Sequence, residues 1–243
     1  MAYLEGKRVL VFGGSGLLGR DLVPILTARG ANVVTPSHEE VDISSPKVFP
    51  ALSWHAPDIV VNLAAYTDVP GAEKRKGRIE SIQSNIDGSR MVCEAAHYFD
   101  AKVIYISSDY VYPGTKKSTQ GYKVSEANPF CFYGMTKYLG EAFCSKSDLV
   151  IRTSLKARGS WGPDAYTTVF HPVYTNGDWV DIIAEKIVNA IENERCGIIN
   201  VGTKRKTLLD LASEEYPQVE VKDVALVNLG YPYPTDCSMK LSN

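Results

Sequence analysis

The sequence predicts an α/β protein, a doubly wound parallel sheet with a small C-terminal lobe, and three observations predict it. Short β-branched runs alternate with longer stretches of helical period, the pattern of a parallel sheet covered by helices. The runs are apolar almost throughout, as strands buried on both faces are. The first of them empties into "FGGSGLLGR", residues 12–20, where a glycine-rich turn leads straight into a helix. That last feature makes the expected sheet Rossmann-like.

In chain order, strands are expected over residues 8–12 (RVLVF), 32–35 (NVVT), 58–63 (DIVVNL), 102–107 (KVIYIS) and 149–152 (LVIR). Helices are expected over 17–29, 46–54, 77–99 and 133–145. The third is the best patterned, because Ile79, Ile82, Ile86, Met91 and Ala95 recur at three- to four-residue steps and predict one apolar face. After Thr153 the pattern loosens into turn residues and aromatics. Then residues 179–194 read as an amphipathic helix, 197–202 as a short strand and 207–216 as a last helix. The expected division is therefore a dinucleotide-binding domain over 1–154 and a reduced substrate-binding lobe over 155–243, with about 176–201 packing back on the first domain.

Composition narrows the function classes. Of 243 residues 44% are hydrophobic and 22% charged, with a net charge of -2, so neither nucleic acid nor a membrane is expected as a partner. The five cysteines, Cys93, Cys131, Cys144, Cys196 and Cys237, include no C-x-x-C pair. They suggest no metal site and no disulfide framework. With no signal-peptide pattern at the amino terminus, a cytoplasmic setting is expected.

Gly13-x-x-Gly16-x-x-Gly19 lies between a strand and a helix, the context that gives a glycine motif meaning. A dinucleotide needs a tight turn, close approach of backbone to its pyrophosphate, and a helix N-terminus offering free N–H groups. Gly13, Ser15, Gly16, Leu17, Leu18, Gly19 and Arg20 are the candidates in this turn. The second strand ends without the acid that an NAD-binding protein places against the ribose 2′-hydroxyl. Thr35, Ser37 and His38 stand there instead, so NADP(H) is preferred and NAD(H) remains open. Asp42 and Ile43 are expected at the adenine edge. Leu63, Ala64, Ala65 and Tyr66 follow the third strand into the crevice.

"YISSDYVYPG" closes the fourth strand and "YGMTKYLGEA" opens the next helix. Tyr133 and Lys137 are four apart and share a helix face. Reduction of a ketone needs a proton donor, and a tyrosine serves if a nearby lysine lowers its pKa. Ser108 supplies a hydroxyl to fix the carbonyl oxygen. Ser107 and Asn85 are placed with the cofactor, Asn85 in a proton relay behind Lys137.

The glycine spacing resembles that of the extended short-chain dehydrogenase/reductases. The ordered set "GGSGLLGR", "VDISSP", "PDIVVNLAAYTDVPGAE", "SNIDGSRMVCEAA", "ISSDYVYPGT", "NPFCFYGMTKYLGE", "VIRTS" and "YPYPTDCSMKLSN" resembles the dTDP-4-dehydrorhamnose reductase family. The resemblance implies NADP(H)-dependent reduction of the 4-keto group of a nucleotide-linked 4-keto-6-deoxysugar. It makes Ser108, Tyr133 and Lys137 the catalytic trio, sets Asp109, Tyr110 and Arg152 at the sugar, and allows a homodimer. Lys156, Arg158 and residues 204–206 are candidates for a diphosphate, and Trp161 or Tyr166 for a base. Leu155 stands where the family has tryptophan, Pro70 and Gly71 replace an aspartate and a basic residue, Tyr233 replaces arginine, and the stretch before "VYTNGDWVDIIA" is short. Two alternatives stay open: an epimerase or dehydratase using the same trio, and a non-catalytic NADP-binding regulatory subunit.

Overall fold

The computed structural model describes residues 2–115, 120–226 and 233–242. Its first part runs β1 (Arg8–Phe12), α1 (Leu17–Ala28), β2 (Asn32–Val34), α2 (Val48–His55), β3 (Ile59–Asn62), α3 (Val69–Ala72), α4 (Arg75–Ser81), α5 (Ser89–Tyr98), β4 (Lys102–Ile106), α6 (Phe132–Glu141) and β5 (Leu149–Arg152). The rest adds β6 (Leu155–Lys156), β7 (Thr168–His171), β8 (Tyr174–Thr175), β9 (Asp178–Trp179), α7 (Val180–Glu192), β10 (Gly197–Asn200), β11 (Lys206–Thr207), α8 (Leu208–Glu215) and β12 (Glu220–Asp223). Six strands form one sheet in the order β10-β5-β4-β3-β1-β2, every pairing parallel. The strand order reverses between the neighbours β1 and β3, since β2 lies on one side of β1 and β3, β4 and β5 follow on the other, which opens a crevice at the carboxyl ends of β1 and β3.

Each face of the sheet is closed by helices whose leucines, isoleucines and valines repeat at helical spacing. Leu22 and Leu26 of α1 meet Ile183 and Ile187 of α7 on one face. On the other, Leu52 of α2 meets Val92 and Ala96 of α5. β10 extends the sheet beside β5, and α7 packs with α1 on one of its faces. A second, smaller core of Trp161, Val169, Trp179, Leu211 and Val219 holds the lobe. The short strands β6, β7, β8, β9, β11 and β12 were not legible in the turn-rich stretch after Thr153, because pairs of two to four residues carry no period. Among the described residues no helix is long and apolar enough to cross a membrane.

The helix expected over 77–99 is three segments. Between α4 and α5 the chain widens into a π-helical stretch, Ile82–Gly88. The expected apolar face is also turned: Ile79 is 52% and Ile82 39% exposed, while Gly77, Ser81, Asn85, Gly88 and Ser89 point inward. Close packing explains the inversion. A Cβ on Gly88 would come within 2.8 Å of the Ile43 side chain, and one on Gly77 within 2.1 Å of the Gly71 carbonyl oxygen. Small residues were needed where the sequence pattern was read for large ones.

Candidate active site

The glycine turn is shaped by what it must avoid. Gly13 has φ +82°, and a Cβ there would stand 2.8 Å from the Ala64 amide nitrogen, so only glycine lets β1 leave the sheet against the end of β3. A Cβ on Gly19 would lie 2.4 Å from the Gly14 carbonyl oxygen, which brings α1 down onto the turn. Gly16 has only the Gly13 carbonyl oxygen near its vacant side, at 3.2 Å. No side chain caps α1 at Gly16, so first-turn N–H groups face the crevice beside the partial positive charge of the helix end. The Arg20 guanidinium clamps the turn by donating from Nε to the Ser15 carbonyl at 2.9 Å. Ser15 and Leu17 are exposed beside it. These groups fit a pyrophosphate.

Three expected cofactor residues are employed elsewhere. Leu18 is buried in the core under the sheet rather than turned to the crevice, since the helix face that meets β1 needs an apolar side chain there. Ile43 is buried under Gly88. Ser37 is tied to Glu40: its N–H donates to the Glu40 carboxylate at 2.7 Å, and its Oγ accepts from the Glu40 N–H at 3.3 Å. Asp42 accepts from the Ser44 N–H and hydroxyl, both at 2.8 Å, in the turn beside this loop.

Leu63, Ala64, Ala65 and Tyr66 leave β3 as an extended segment held by Asn85. The Asn85 side chain accepts from the Tyr66 N–H at 2.8 Å and donates to the Tyr66 carbonyl at 3.1 Å and to the Thr136 hydroxyl at 3.0 Å. It does not bond Lys137. Its polar atoms are satisfied by one strand end and one helix, so its work is to pin α6 to the crevice wall.

α6 carries Tyr133 and Lys137 and is docked through glycines. A Cβ on Gly134 would lie 2.1 Å from the Tyr110 carbonyl oxygen, and one on Gly140 2.4 Å from the Tyr105 hydroxyl. This approach puts Tyr133 edge-on to Tyr110, ring centroids 6.1 Å apart, and within hydrogen-bonding reach of Ser108. Ser108 precedes the 3-10 turn Asp109–Val111; its Oγ accepts from the Tyr110 N–H at 3.2 Å and donates to Asp109 Oδ1 at 3.3 Å. Burial raises the Tyr133 phenol well above its ordinary value, with the Asp109 charge adding to it and the Ser108 hydrogen bond opposing it. Lys137 does not acidify this phenol as expected. Its ammonium lies 4.4 Å from the centre of the Tyr105 ring, and burial lowers it to about 8 against the pull of Glu141. Among the described residues it makes no hydrogen bond or ion pair, so its donors are available in the crevice.

Arg152 and Ser107 are corrections of another kind. Arg152 is fully buried and donates from Nε and Nη2 to Glu141 at 2.9 and 2.6 Å, and from Nη1 to the Tyr112 hydroxyl and the Val124 carbonyl at 3.1 and 2.7 Å. The Ser107 hydroxyl donates to the same carboxylate at 2.5 Å. A guanidinium so fully occupied cannot bind sugar; it ties β5 to α6. Sequence reasoning missed Glu141, whose signal was its place four residues after Lys137.

In the lobe, Arg158 pairs with Asp181, Arg205 with Asp236 and Lys206 with Asp178. These cations expected at a diphosphate are held by carboxylates. Trp161 is buried edge-on to Trp179, 6.0 Å between centroids, whereas Tyr166 is exposed. Tyr233, standing where arginine was expected, lies edge-on to Phe170. Of the C-terminal segment read above, Tyr231, Pro232 and Asn243 fall outside the described residues; Ser238 and Lys240 pair by backbone with Tyr122.

The sheet order, the cradle at the head of α1 and the Ser108–Tyr133 contact at the end of β4 are those of the short-chain dehydrogenase/reductase class. Within it, the chain belongs to the family described as the RmlD substrate binding domain, whose model matches residues 7–194. It is similar to a dTDP-4-dehydrorhamnose reductase of Aggregatibacter actinomycetemcomitans, 31% identical over 186 residues that cover 74% of this chain and 61% of that one. It is also similar to a dTDP-4-dehydrorhamnose reductase of Streptomyces griseus, 37% identical over 136 residues, 55% of this chain and 43% of that one. The chain thus spans less than two thirds of the length of these relatives. Among solved structures, a dTDP-4-dehydrorhamnose reductase from Bacillus anthracis in complex with NADP superposes with a TM-score of 0.85 at 23% identity, covering 98% of this chain and 91% of that one. A hypothetical dTDP-4-dehydrorhamnose reductase from Sulfolobus tokodaii gives 0.82 at 28% identity, covering 96% and 92%.

Proposed function

We propose that the chain reduces the 4-keto group of a nucleotide-linked 4-keto-6-deoxysugar, using NADP(H) in preference to NAD(H). One observation carries the reading: a buried phenol in reach of the Ser108 hydroxyl, with the buried Lys137 ammonium, which makes no hydrogen bond or ion pair among the described residues, one helical turn away. The names of the relatives support the substrate class, and the NADP bound to the Bacillus anthracis protein supports the cofactor. The cradle Gly13, Gly16 and Gly19 with the N-terminus of α1 would hold the pyrophosphate, Arg20 bracing it. Lys137 would hold the ribose hydroxyls. The end of β2 presents Thr35 and the exposed His38 with no acid at the strand end, which favours a 2′-phosphate over a bare hydroxyl.

Bound there, the reduced cofactor supplies hydride to the keto carbon. Ser108, its one hydroxyl proton turned from Asp109, would donate to the carbonyl oxygen and fix its position. Tyr133 gives that oxygen its proton as negative charge grows on it. The raised phenol suits this direction, because the donor must be protonated at neutral pH and the alkoxide is far more basic. The buried Tyr133 and Cys131 and the partly buried Tyr110 would keep water from the transfer. The lobe of β6 to β9, β11, α8 and β12 would receive the nucleotide. A homodimer is supported by Met135, Tyr138 and Leu139, apolar or aromatic side chains left exposed along α6. Five free cysteines support a reduced, cytoplasmic setting.

The test is NADPH oxidation with a dTDP-linked 4-keto-6-deoxyhexose. Loss of NADPH absorbance in step with alcohol product is the expected result. Tight NADPH binding without turnover would leave only a cofactor-binding module.

A further inference from the structure

Tyr133, Lys137 and Glu141 fall at four-residue steps along α6 and share one stripe of it. Each meets the end of β4 or the run that continues it. Lys137 lies over the Tyr105 ring, 4.4 Å from its centre, Glu141 meets Ser107, and Tyr133 is in reach of Ser108. The Glu141 contact is the most closely defined of the three. The Ser107 hydroxyl donates to Glu141 Oε1 at 2.5 Å, the short geometry of a hydroxyl on a carboxylate. Arg152 donates to the same carboxylate from Nε at 2.9 Å and from Nη2 at 2.6 Å, and is itself held by the Tyr112 hydroxyl and the Val124 carbonyl. All three side chains are buried. Glu141, its charge met by a fixed guanidinium, is a rigid acceptor for Ser107.

Ser107 has one hydroxyl proton and spends it on that carboxylate, so the group is not a donor to a cofactor. Its place in the chain gives the bond another consequence. Backbone bonds fix the run along β5 on both sides of Ser108: the Ser107 N–H donates to the Ile151 carbonyl at 2.7 Å, and the Asp109 N–H to the Thr153 carbonyl at 3.0 Å. They do not join it to α6. The close approaches of Gly134 to Tyr110 and of Gly140 to Tyr105 limit how near the helix comes, but a packing contact has no direction and a hydrogen bond has one. We infer that Ser107 is a positioning residue for the proposed reduction: its bond to Glu141 holds Ser108 at a fixed place relative to Tyr133, and so sets where the carbonyl oxygen is received. The inference rests on that reduction and deepens it. Two groups that must reach one oxygen tolerate little play, since a displacement of about 1 Å costs on the order of a hundredfold in rate.

The experiment is a double-mutant cycle on the wild type, Ser107→Ala, Ser108→Ala and the two substitutions combined. It reads kcat and KM with a dTDP-linked 4-keto-6-deoxyhexose, the NADPH dissociation constant by fluorescence, and the melting temperature. Ser107→Ala leaves the Glu141–Arg152 pair in place, so the chain is expected to fold. It should lower kcat by about ten- to a hundredfold, the range for a hydrogen bond to a charged group, with KM and NADPH affinity nearly unchanged. In the Ser108→Ala background the same substitution should change kcat little, because a residue that acts through Ser108 has nothing left to place. The inference is overturned if Ser107→Ala lowers the melting temperature and leaves kcat intact, since the hydroxyl then supports the fold alone. It is overturned if the two losses multiply, which makes Ser107 independent of Ser108, or if NADPH affinity falls by the same factor as kcat, which makes Ser107 a cofactor residue. A wild type without turnover overturns the proposed reduction and the inference with it, a result distinct from an active wild type indifferent to Ser107→Ala.

Discussion

Tyr133 and Asp109 occupy one crevice with opposite demands. In the proposed reduction the phenol must be protonated to give its proton, and burial favours that form. Tyr133→Phe is expected to lower turnover by at least about a hundredfold, the usual worth of a positioned acid, with NADPH affinity nearly unchanged by fluorescence titration. A parallel loss of affinity would make the ring structural. Asp109 is buried and its carboxyl held up to about 7, against about 3.9 in an unfolded chain. Between those values the folded state keeps a proton that the unfolded chain has released, so this group's contribution to stability is full at low pH and is lost as pH rises toward 7. Asp109→Asn should therefore gain on the wild type in melting temperature as buffers move from about pH 4 to about pH 8. A difference that stays constant across that range removes the assigned ionisation. The residue types of the trio were legible from order and spacing. The partners were not: Lys137 lies over the Tyr105 ring, and Leu18 and Arg152 face the interior, because side-chain direction depends on neighbours distant in sequence.

At the scale of elements, α6 decides the site. It is held by Gly134 and Gly140 against Tyr110 and Tyr105, by Asn85 from the π-helical stretch, and by the buried Glu141–Arg152 pair from β5. Removing one partner of such a pair leaves an uncompensated buried charge. Arg152→Met is expected to cost about 3–5 kcal/mol, read as a shift of the urea midpoint at unchanged slope. A change under about 1 kcal/mol would mean that the pair is solvated. Gly134→Ala should push α6 off the Tyr110 carbonyl, so that kcat falls further than melting temperature does. Most element positions were legible, since strands buried on both faces read as plain apolar runs. The exception is 77–99, where small inward residues mimicked a polar face and Ile79 and Ile82 mimicked a buried one.

For the whole molecule, the crevice lies between the carboxyl ends of the sheet and the lobe, so ligands should stabilise the native state by mass action. NADPH at a hundred times its dissociation constant adds about 2.7 kcal/mol, worth roughly 5–10 °C in a domain of this size. NADH at the same concentration is expected to give a smaller rise, and equal shifts would remove the cofactor preference. Light scattering checks the dimer: a mass of twice 26.7 kDa is expected, and Leu139→Glu on the exposed face of α6 should return it to a single chain.

The sequence by itself determined the parallel sheet, the glycine turn between β1 and α1, and the placing of Tyr133 and Lys137 one turn apart on α6, since each rests on local geometry: strand burial, a tight turn, one turn of helix. Only the tertiary structure decided which charges face the crevice and which are consumed in holding it. As cations in a chain, Arg152, Arg158 and Lys206 give no sign of differing in role from Lys137. They part company because the first three meet carboxylates of other elements, whereas Lys137, among the described residues, meets the face of the Tyr105 ring.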